Sequence, residues 1–220
     1  MYTYKIYNNI SAEGIDCLEV NGFTKEEKNP DALLIRSQLI NEGDFNKSLK
    51  CICRAGAGVN HIPIDMATER GVVVFNTPGG NANAVKELVI CGLLLSSRGI
   101  IQGHQFAQTL SKQDADELTH LVETNKKNFK GNELKGKTIG IIGLGAIGSL
   151  LAQSVVSMDM KVIGYDPNIS IDAAWQLPKE VVKADNLKDL LTNSDYVSIH
   201  VPLVEETKNL ICNDVIKFIK

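Results

Sequence analysis

Glycine stands at the first, third and sixth positions of Gly143-Leu144-Gly145-Ala146-Ile147-Gly148. The apolar run Thr138-Ile139-Gly140-Ile141-Ile142 comes before these six residues and a helical stretch follows them. An acid, Asp166, closes the next apolar run, Lys161-Val162-Ile163-Gly164-Tyr165. In this order the three glycines serve three different ends. Gly143 permits a tight turn, Gly145 lets backbone approach a pyrophosphate, and Gly148 lets helix and strand pack closely. A helix that starts here turns unpaired N–H groups and its positive end toward phosphate oxygens. A carboxylate at Asp166 suits the hydroxyls of an adenosine ribose and repels a 2′-phosphate. Asp166 also precedes Pro167 and so has an alternative role as a turn former. The pattern predicts a dinucleotide site for NAD rather than NADP.

Two strand–helix series must position such a site. The first has strand candidates Tyr4–Tyr7, Ala32–Arg36, Cys51–Ala55 and Val72–Phe75, with Gly56, Gly58, Gly71, Gly79 and Gly80 near the strand ends. A long helix is predicted from Asn83 to about Arg98, apolar over more than half its circumference and so expected to be buried, between domains or subunits. Residues 99–136 are more polar, with Phe106, Leu110, Leu118 and Leu121 as scattered anchors, which suits an arm or connector. The second series has strands at Thr138–Ile142 and Lys161–Tyr165, near Val181–Val182, and at Tyr196–Val201. Short β-branched runs alternating with helices predict parallel sheets covered on both faces. The division expected is 1–98, 99–136 and 137–220. Gly136 and Gly140 lie outside the fingerprint and are read as a turn and a packing position.

Bulk composition narrows the class. The 220 residues are 44% hydrophobic and 22% charged, ordinary for a globular protein. A net charge of −3 gives no electrostatic reason to expect nucleic acid or an anionic membrane as partner. Met1-Tyr2-Thr3-Tyr4-Lys5 lacks the apolar core of a signal peptide, and Leu88 to Leu95 is too short to span a bilayer, so a cytoplasmic location is expected. Cys17, Cys51, Cys53, Cys91 and Cys212 have neither disulfide nor zinc spacing. Cys51 and Cys53, two apart on a strand, face the same side and are read as reduced thiols rather than a redox pair.

With these residues in hand, the chain resembles the D-isomer-specific 2-hydroxyacid dehydrogenases over essentially its whole length. The motifs that carry the resemblance are Ile35-Arg36-Ser37, Arg54-Ala55-Gly56-Ala57-Gly58-Val59-Asn60, Asn76-Thr77-Pro78, Ala84-Val85-Lys86-Glu87, the glycine fingerprint with Asp166, and His200-Val201-Pro202-Leu203. It implies a flavodoxin-like substrate domain and an incomplete Rossmann NAD-binding domain, joined through a dimerisation arm in a homodimer. It implies hydride transfer between NAD and C2 of a small D-2-hydroxy acid, most like the branch that oxidises D-3-phosphoglycerate to 3-phosphohydroxypyruvate in serine biosynthesis. Another small D-2-hydroxy acid and a non-enzymatic NAD-binding role are the alternatives.

Residue by residue, the resemblance assigns the substrate carboxylate to the amides of Arg54, Ala55, Gly56, Ala57 and Gly58. It makes Arg36, Ser37 and Arg54 candidates for substrate oxygens, although either arginine also suits a surface ion pair. Ala146 and Ile147 would cover the pyrophosphate, His200, Val201 and Pro202 would bound the adenosine side, and Thr77 would lie near the nicotinamide.

The family takes its catalytic Arg, acid and His from downstream of the His-Val-Pro-Leu segment, and nothing after Leu203 here is an Arg or a His. No catalytic residue is therefore expected within this chain. His200 is read as orienting its neighbours, while His61, His104 and His120 have no convergent partners. A strand order of 3-2-1-4-5-6 would lack its last two strands, leaving Tyr196–Val201 as an edge. The final helix, predicted to be capped by Asn213, has room for about two turns and needs a partner for Val215, Ile216, Phe218 and Ile219. The chain is expected to be C-terminally truncated, able to bind NAD weakly and to turn over little.

Overall fold

The computed structural model describes residues 1–111 and 114–220. They form two compact units, Met1–Asn81 and Ala82–Lys220.

The first unit runs β1 (Thr3–Ile6), α1 (Ala12–Val20), β2 (Thr24–Lys25), β3 (Ala32–Ile35), β4 (Cys51–Arg54), α2 (Ile64–Glu69) and β5 (Val73–Phe75). All its strands are parallel, in the order β2-β1-β3-β4-β5, which is the flavodoxin-like order. Alternation along the strands sends Leu33, Ile35 and Ile52 to one face, where they pack with Ile62, Ala67 and Val72. Cys51 and Cys53 point to the other side as free thiols, with their sulfurs 4.0 Å apart. The four expected strands are all present, each a residue shorter at one end or displaced by one. Tyr7 and Ala55 lie just past β1 and β4, yet their amides still bond Leu34 O and Ile35 O, both at 2.8 Å. All these strands therefore end at one edge, with Asn8, Arg36, Arg54 and Asn76 at or just beyond their carboxyl ends.

The second unit opens with α3 (Ala82–Ser97), α4 (Ile100–Thr109) and α5 (Ala115–Asn125). Then follow β6 (Thr138–Ile142), α6 (Ala146–Val156), β7 (Lys161–Tyr165), α7 (Ile171–Trp175), β8 (Val181–Lys183), α8 (Leu187–Asn193), β9 (Tyr196–Ile199) and α9 (Asn213–Ile216). The sheet is parallel, in the order β8-β7-β6-β9, which is the 3-2-1-4 half of a Rossmann sheet. β6 is central and buried from Ile139 to Ile142, as its near-continuous apolar run requires. Helix α6 buries Gly148, Leu151, Ala152 and Val155, a one-sided stripe at helical spacing. Leu93 of α3 packs into the same core, with Val89 and Ile90 beside it.

Within the single chain α3 packs on the second core through Leu93, Val89 and Ile90, while Leu88 is 72% exposed and Leu94 and Leu95 are also at the surface. One expectation needs correction. Asn213 does not cap the last helix. Cys212 adopts the extended capping conformation, no side chain caps the helix, and Asn213 is already its first residue. The helix is one turn of four residues rather than two. Val215 and Phe218 find cover against Ile142, Leu190 and Leu191, while Ile216 and Ile219 stay exposed. Among the described residues no helix is long and apolar enough to cross a membrane.

Candidate functional site

The fingerprint turn leaves β6 with Gly143 at φ +88°, a left-handed conformation that favours glycine. A β-carbon there would also lie 2.8 Å from His200 O and from Val201 Cγ1. At Gly148 an added β-carbon would sit 2.0 Å from Gly143 O, so the first turn of α6 rests directly on the backbone of the preceding loop. Gly145 is different: its β-carbon would meet nothing within 4 Å. It occupies the N-cap of α6 and no side chain caps that helix. Among the described residues no side chain takes the first-turn amides of Ala146 and Ile147, so a phosphate there would find donors and a favourable dipole. The residues present fit a dinucleotide pyrophosphate.

Asp166 ties this loop to the neighbouring strand. Its Oδ2 accepts from Leu144 N at 2.8 Å and its Oδ1 from Asn168 N at 3.0 Å, while Gly143 N donates to Tyr165 O at 2.9 Å. The second of these carboxylate bonds is the local turn that an Asp before a proline suggests, and the first reaches across to the fingerprint. Each carboxylate oxygen keeps a further acceptor site for a ribose hydroxyl. On the other flank His200 N donates to Ile142 O at 2.7 Å, and His200 Nε2 lies 2.8 Å from Ser198 Oγ. Burial pushes the imidazole below its usual pKa and so favours its uncharged form. Val201 packs against the core beside Ile142, and Pro202 is exposed.

In the first unit four carbonyls of the turn after β4 are bound. Arg54 O accepts from Gly56 N and Thr77 Oγ1, Gly56 O from Thr77 N, Ala57 O from Asn76 Nδ2 and Gly58 O from Arg54 Nη1. Among the described residues no acceptor takes the amides of Ala57 or Gly58. Carbonyls secured and successive amides free make a concave donor set suited to an anion. Arg54 spends Nε on Arg36 O at 3.1 Å as well as Nη1 on Gly58 O, so its guanidinium braces the turn and keeps Nη2 for other work. Arg36 and Ser37 are exposed at the same edge. Neither arginine enters an ion pair among the described residues.

The expected residues thus gather at two strand edges, one in each unit. Gly143, Gly145, Ala146, Ile147, Gly148, Asp166, His200, Val201 and Pro202 surround the α6 N-terminus. Arg36, Ser37, Arg54, Ala55, Gly56, Ala57, Gly58 and Thr77 lie at the edge of the first sheet. Sequence reasoning missed Asn8, whose side-chain oxygen accepts from three successive amides, Arg36 N, Ser37 N and Gln38 N, at 3.3, 3.0 and 2.8 Å. The one local signal was an Asn just past a strand, a residue that tolerates the φ of +68° found there.

Residues 92–220 match the family model for the NAD-binding domain of D-isomer-specific 2-hydroxyacid dehydrogenases. A D-3-phosphoglycerate dehydrogenase of Archaeoglobus fulgidus is 36% identical over 218 residues, covering 92% of this chain and 38% of that protein. A hydroxypyruvate reductase of Thermotoga maritima is 38% identical over 184 residues, covering 82% of this chain and 54% of the relative. The chain therefore spans between about a third and a half of such relatives. Among solved structures, the NAD⁺-bound 3-phosphoglycerate dehydrogenase of Entamoeba histolytica superposes with a TM-score of 0.73 at 24% identity, over all of this chain and 68% of that one. The D-lactate dehydrogenase of Aquifex aeolicus, complexed with NAD and lactic acid, gives 0.76 at 22% identity, over 99% and 66%. These two show the likeness in fold. NAD is the cofactor of the second unit, and the chain belongs to the D-isomer-specific 2-hydroxyacid dehydrogenase family.

Proposed function

We propose that the protein to which this chain belongs oxidises D-3-phosphoglycerate to 3-phosphohydroxypyruvate, a step of serine biosynthesis in the cytoplasm. The observation that carries the reading is the Arg54–Gly58 turn, with four bound carbonyls and the free amides of Ala57 and Gly58 at the carboxyl edge of a parallel sheet, where open α/β sheets place ligands. The amides of Ala57 and Gly58 would hold the substrate carboxylate, with Arg54 bracing them from behind. Arg36 and Ser37 offer a guanidinium and a hydroxyl to the phosphate. The fingerprint amides, Asp166, His200, Val201 and Pro202 would orient the dinucleotide, and Thr77 would lie toward the nicotinamide. Bound NAD supplies the acceptor for the hydride that leaves C2. The hydroxyl proton must go to a base, and the one histidine near the fingerprint, His200, is half-buried with its Nε2 engaged by Ser198. It fits an orienting role better than a proton-transfer role. On this reading residues 1–98 recognise substrate, 99–136 connect, and 137–220 hold NAD, while the 220-residue chain alone binds ligands without turning them over. The exposed apolar side of α3 (Leu88, Leu94, Leu95) and Ile100 and Ile101 of α4 would seat a second copy.

The Thermotoga relative supports a second reading, in which the substrate is unphosphorylated hydroxypyruvate or D-glycerate. Titration calorimetry of the chain with D-3-phosphoglycerate and with D-glycerate separates the two. Tighter binding of the phosphorylated compound, lost in Arg36→Ala, is expected. Equal binding of both selects the second reading.

A further inference from the structure

We propose that Cys51 and Cys53, on the face of the first sheet turned away from its core, form a two-thiolate site for a soft cation of low coordination number, of the Cu(I) class.

The two residues stand two apart on β4, so both side chains leave the same face, and their sulfurs lie 4.0 Å apart. Both are half-buried free thiols. Their neighbours across the sheet are Ala32 and Leu34 on β3 and Val73 and Phe75 on β5, all apolar, and the last two are exposed. A direct disulfide fits this pair poorly. Cα atoms two apart on a strand are about 6.7 Å from each other, at the upper end of what an S–S bond spans. β4 would have to bend where it pairs with β3 and β5. One atom placed between the sulfurs removes that demand. With metal–sulfur bonds of about 2.3 Å, sulfurs 4.0 Å apart subtend about 120° at the ion. That is the angle of a three-coordinate ion that keeps one place for a ligand from solution.

The class of ion follows from the donor set. Among the described residues no third His, Cys, Asp or Glu joins the pair in a metal-binding group. The Asp31 carboxylate, whose backbone oxygen accepts from Cys51 N, is taken by Thr3 and Lys50. Structural zinc needs four ligands, and calcium and magnesium need oxygens. Thiolates alone, among apolar neighbours, select Cu(I). Binding replaces two thiol protons, released to solvent, by one Cu(I) ion, with no change of oxidation state.

The test adds Cu(I) to the reduced 220-residue chain in the absence of oxygen, in competition with a colorimetric chelator, with Zn(II) as the comparison. The wild type should take up one equivalent tightly, and excess Zn(II) should not displace it. Cys51→Ser and Cys53→Ser should each weaken this site by more than about a hundredfold, since even the loss of a partner behind a metal ligand costs up to about that much. The triple variant Cys17→Ser, Cys91→Ser, Cys212→Ser should retain it. Two measurements on the wild type need no variant to fold. X-ray absorption at the copper edge should show sulfur neighbours. One equivalent of Cu(I) should also shield Cys51 and Cys53 from iodoacetamide while the exposed Cys17 and Cys212 stay reactive. Displacement by Zn(II), survival of the tight site in Cys51→Ser or Cys53→Ser, or unchanged alkylation of the pair would overturn the proposal.

Discussion

Alanine at Gly145 and at Gly148 should separate ligand binding from folding within a single loop. At Gly148 the new β-carbon would lie 2.0 Å from Gly143 O, whereas carbon and carbonyl oxygen in ordinary contact stand about 3.3 Å apart, so about 1.3 Å must open. The obstacle is backbone, held by Gly143 N to Tyr165 O at 2.9 Å and Leu144 N to Asp166 Oδ2 at 2.8 Å. Relief has to come from moving α6 off the core that Leu151, Ala152 and Val155 fill. That places Gly148→Ala at the upper end of overpacking costs, about 3 kcal/mol, or a fall of roughly 6–12 °C in melting temperature. At Gly145 the β-carbon meets nothing within 4 Å and φ is an ordinary −70°. The cost to the fold should stay below about 1 kcal/mol. The added methyl nevertheless stands where phosphate oxygens must approach the α6 amides to about 2.9 Å. NADH affinity should therefore fall at least about tenfold, some 1.4 kcal/mol. Thermal melts and NADH fluorescence titrations of both variants are the assay. A Gly145→Ala chain that binds NADH within about twofold of wild type would refute the placement of the pyrophosphate.

Other consequences follow from the same structure. The Lys50 ammonium and the Thr3 amide hold the Asp31 carboxyl at about 2. Its folded value lies below the usual carboxylate value of about 3.9, so its contribution to stability is complete above about pH 4 and is lost as pH falls toward 2. Urea midpoints of the wild type should drop across that window, and Asp31→Asn should flatten the drop; parallel curves would count against the pairing. The Cys53 thiol, hydrogen-bonded to Cys51, lowers Cys51 to about 7 while Cys53 itself is pushed up. Iodoacetamide at pH 7.5 should label Cys51 first, and more slowly in Cys53→Ala, as read by peptide mass spectrometry; equal labelling would contradict the bond. Leu88 is 72% exposed on α3; the wild type is expected to be a dimer by light scattering and Leu88→Glu a monomer, and a monomeric wild type would dismiss that interface.

Much of this architecture was legible because it is encoded locally. β6 and β7 match their expected spans, since short runs rich in β-branched residues (Thr138, Ile139, Ile141 and Ile142; Val162 and Ile163), closed by Gly143 and Asp166, leave little freedom in where a buried parallel strand ends. The glycine fingerprint was legible for a similar reason: the left-handed φ at Gly143 and the close approach at Gly148 are demands that few residues other than glycine meet. β2 escaped notice because two residues, Thr24 and Lys25, are too few to display an alternation. The breadth of the apolar surface on α3 was readable, but not which side would find a partner. Asn8 lay out of reach because its three bonds join residues 28 to 30 apart. Arg54 was readable as an anion ligand and not as a brace, because the carbonyls of Arg36 and Gly58 come within its reach only once β3 and β4 are paired.

The most direct test of the cofactor site is a fluorescence titration of the chain with NADH and NADPH under identical conditions. Asp166 keeps one acceptor site on each carboxylate oxygen for ribose hydroxyls and meets a 2′-phosphate with like charge. NADH is expected to bind at least about tenfold more tightly than NADPH. Equal binding of the two, or no binding of either, would contradict a site built from Gly143–Gly148 and Asp166.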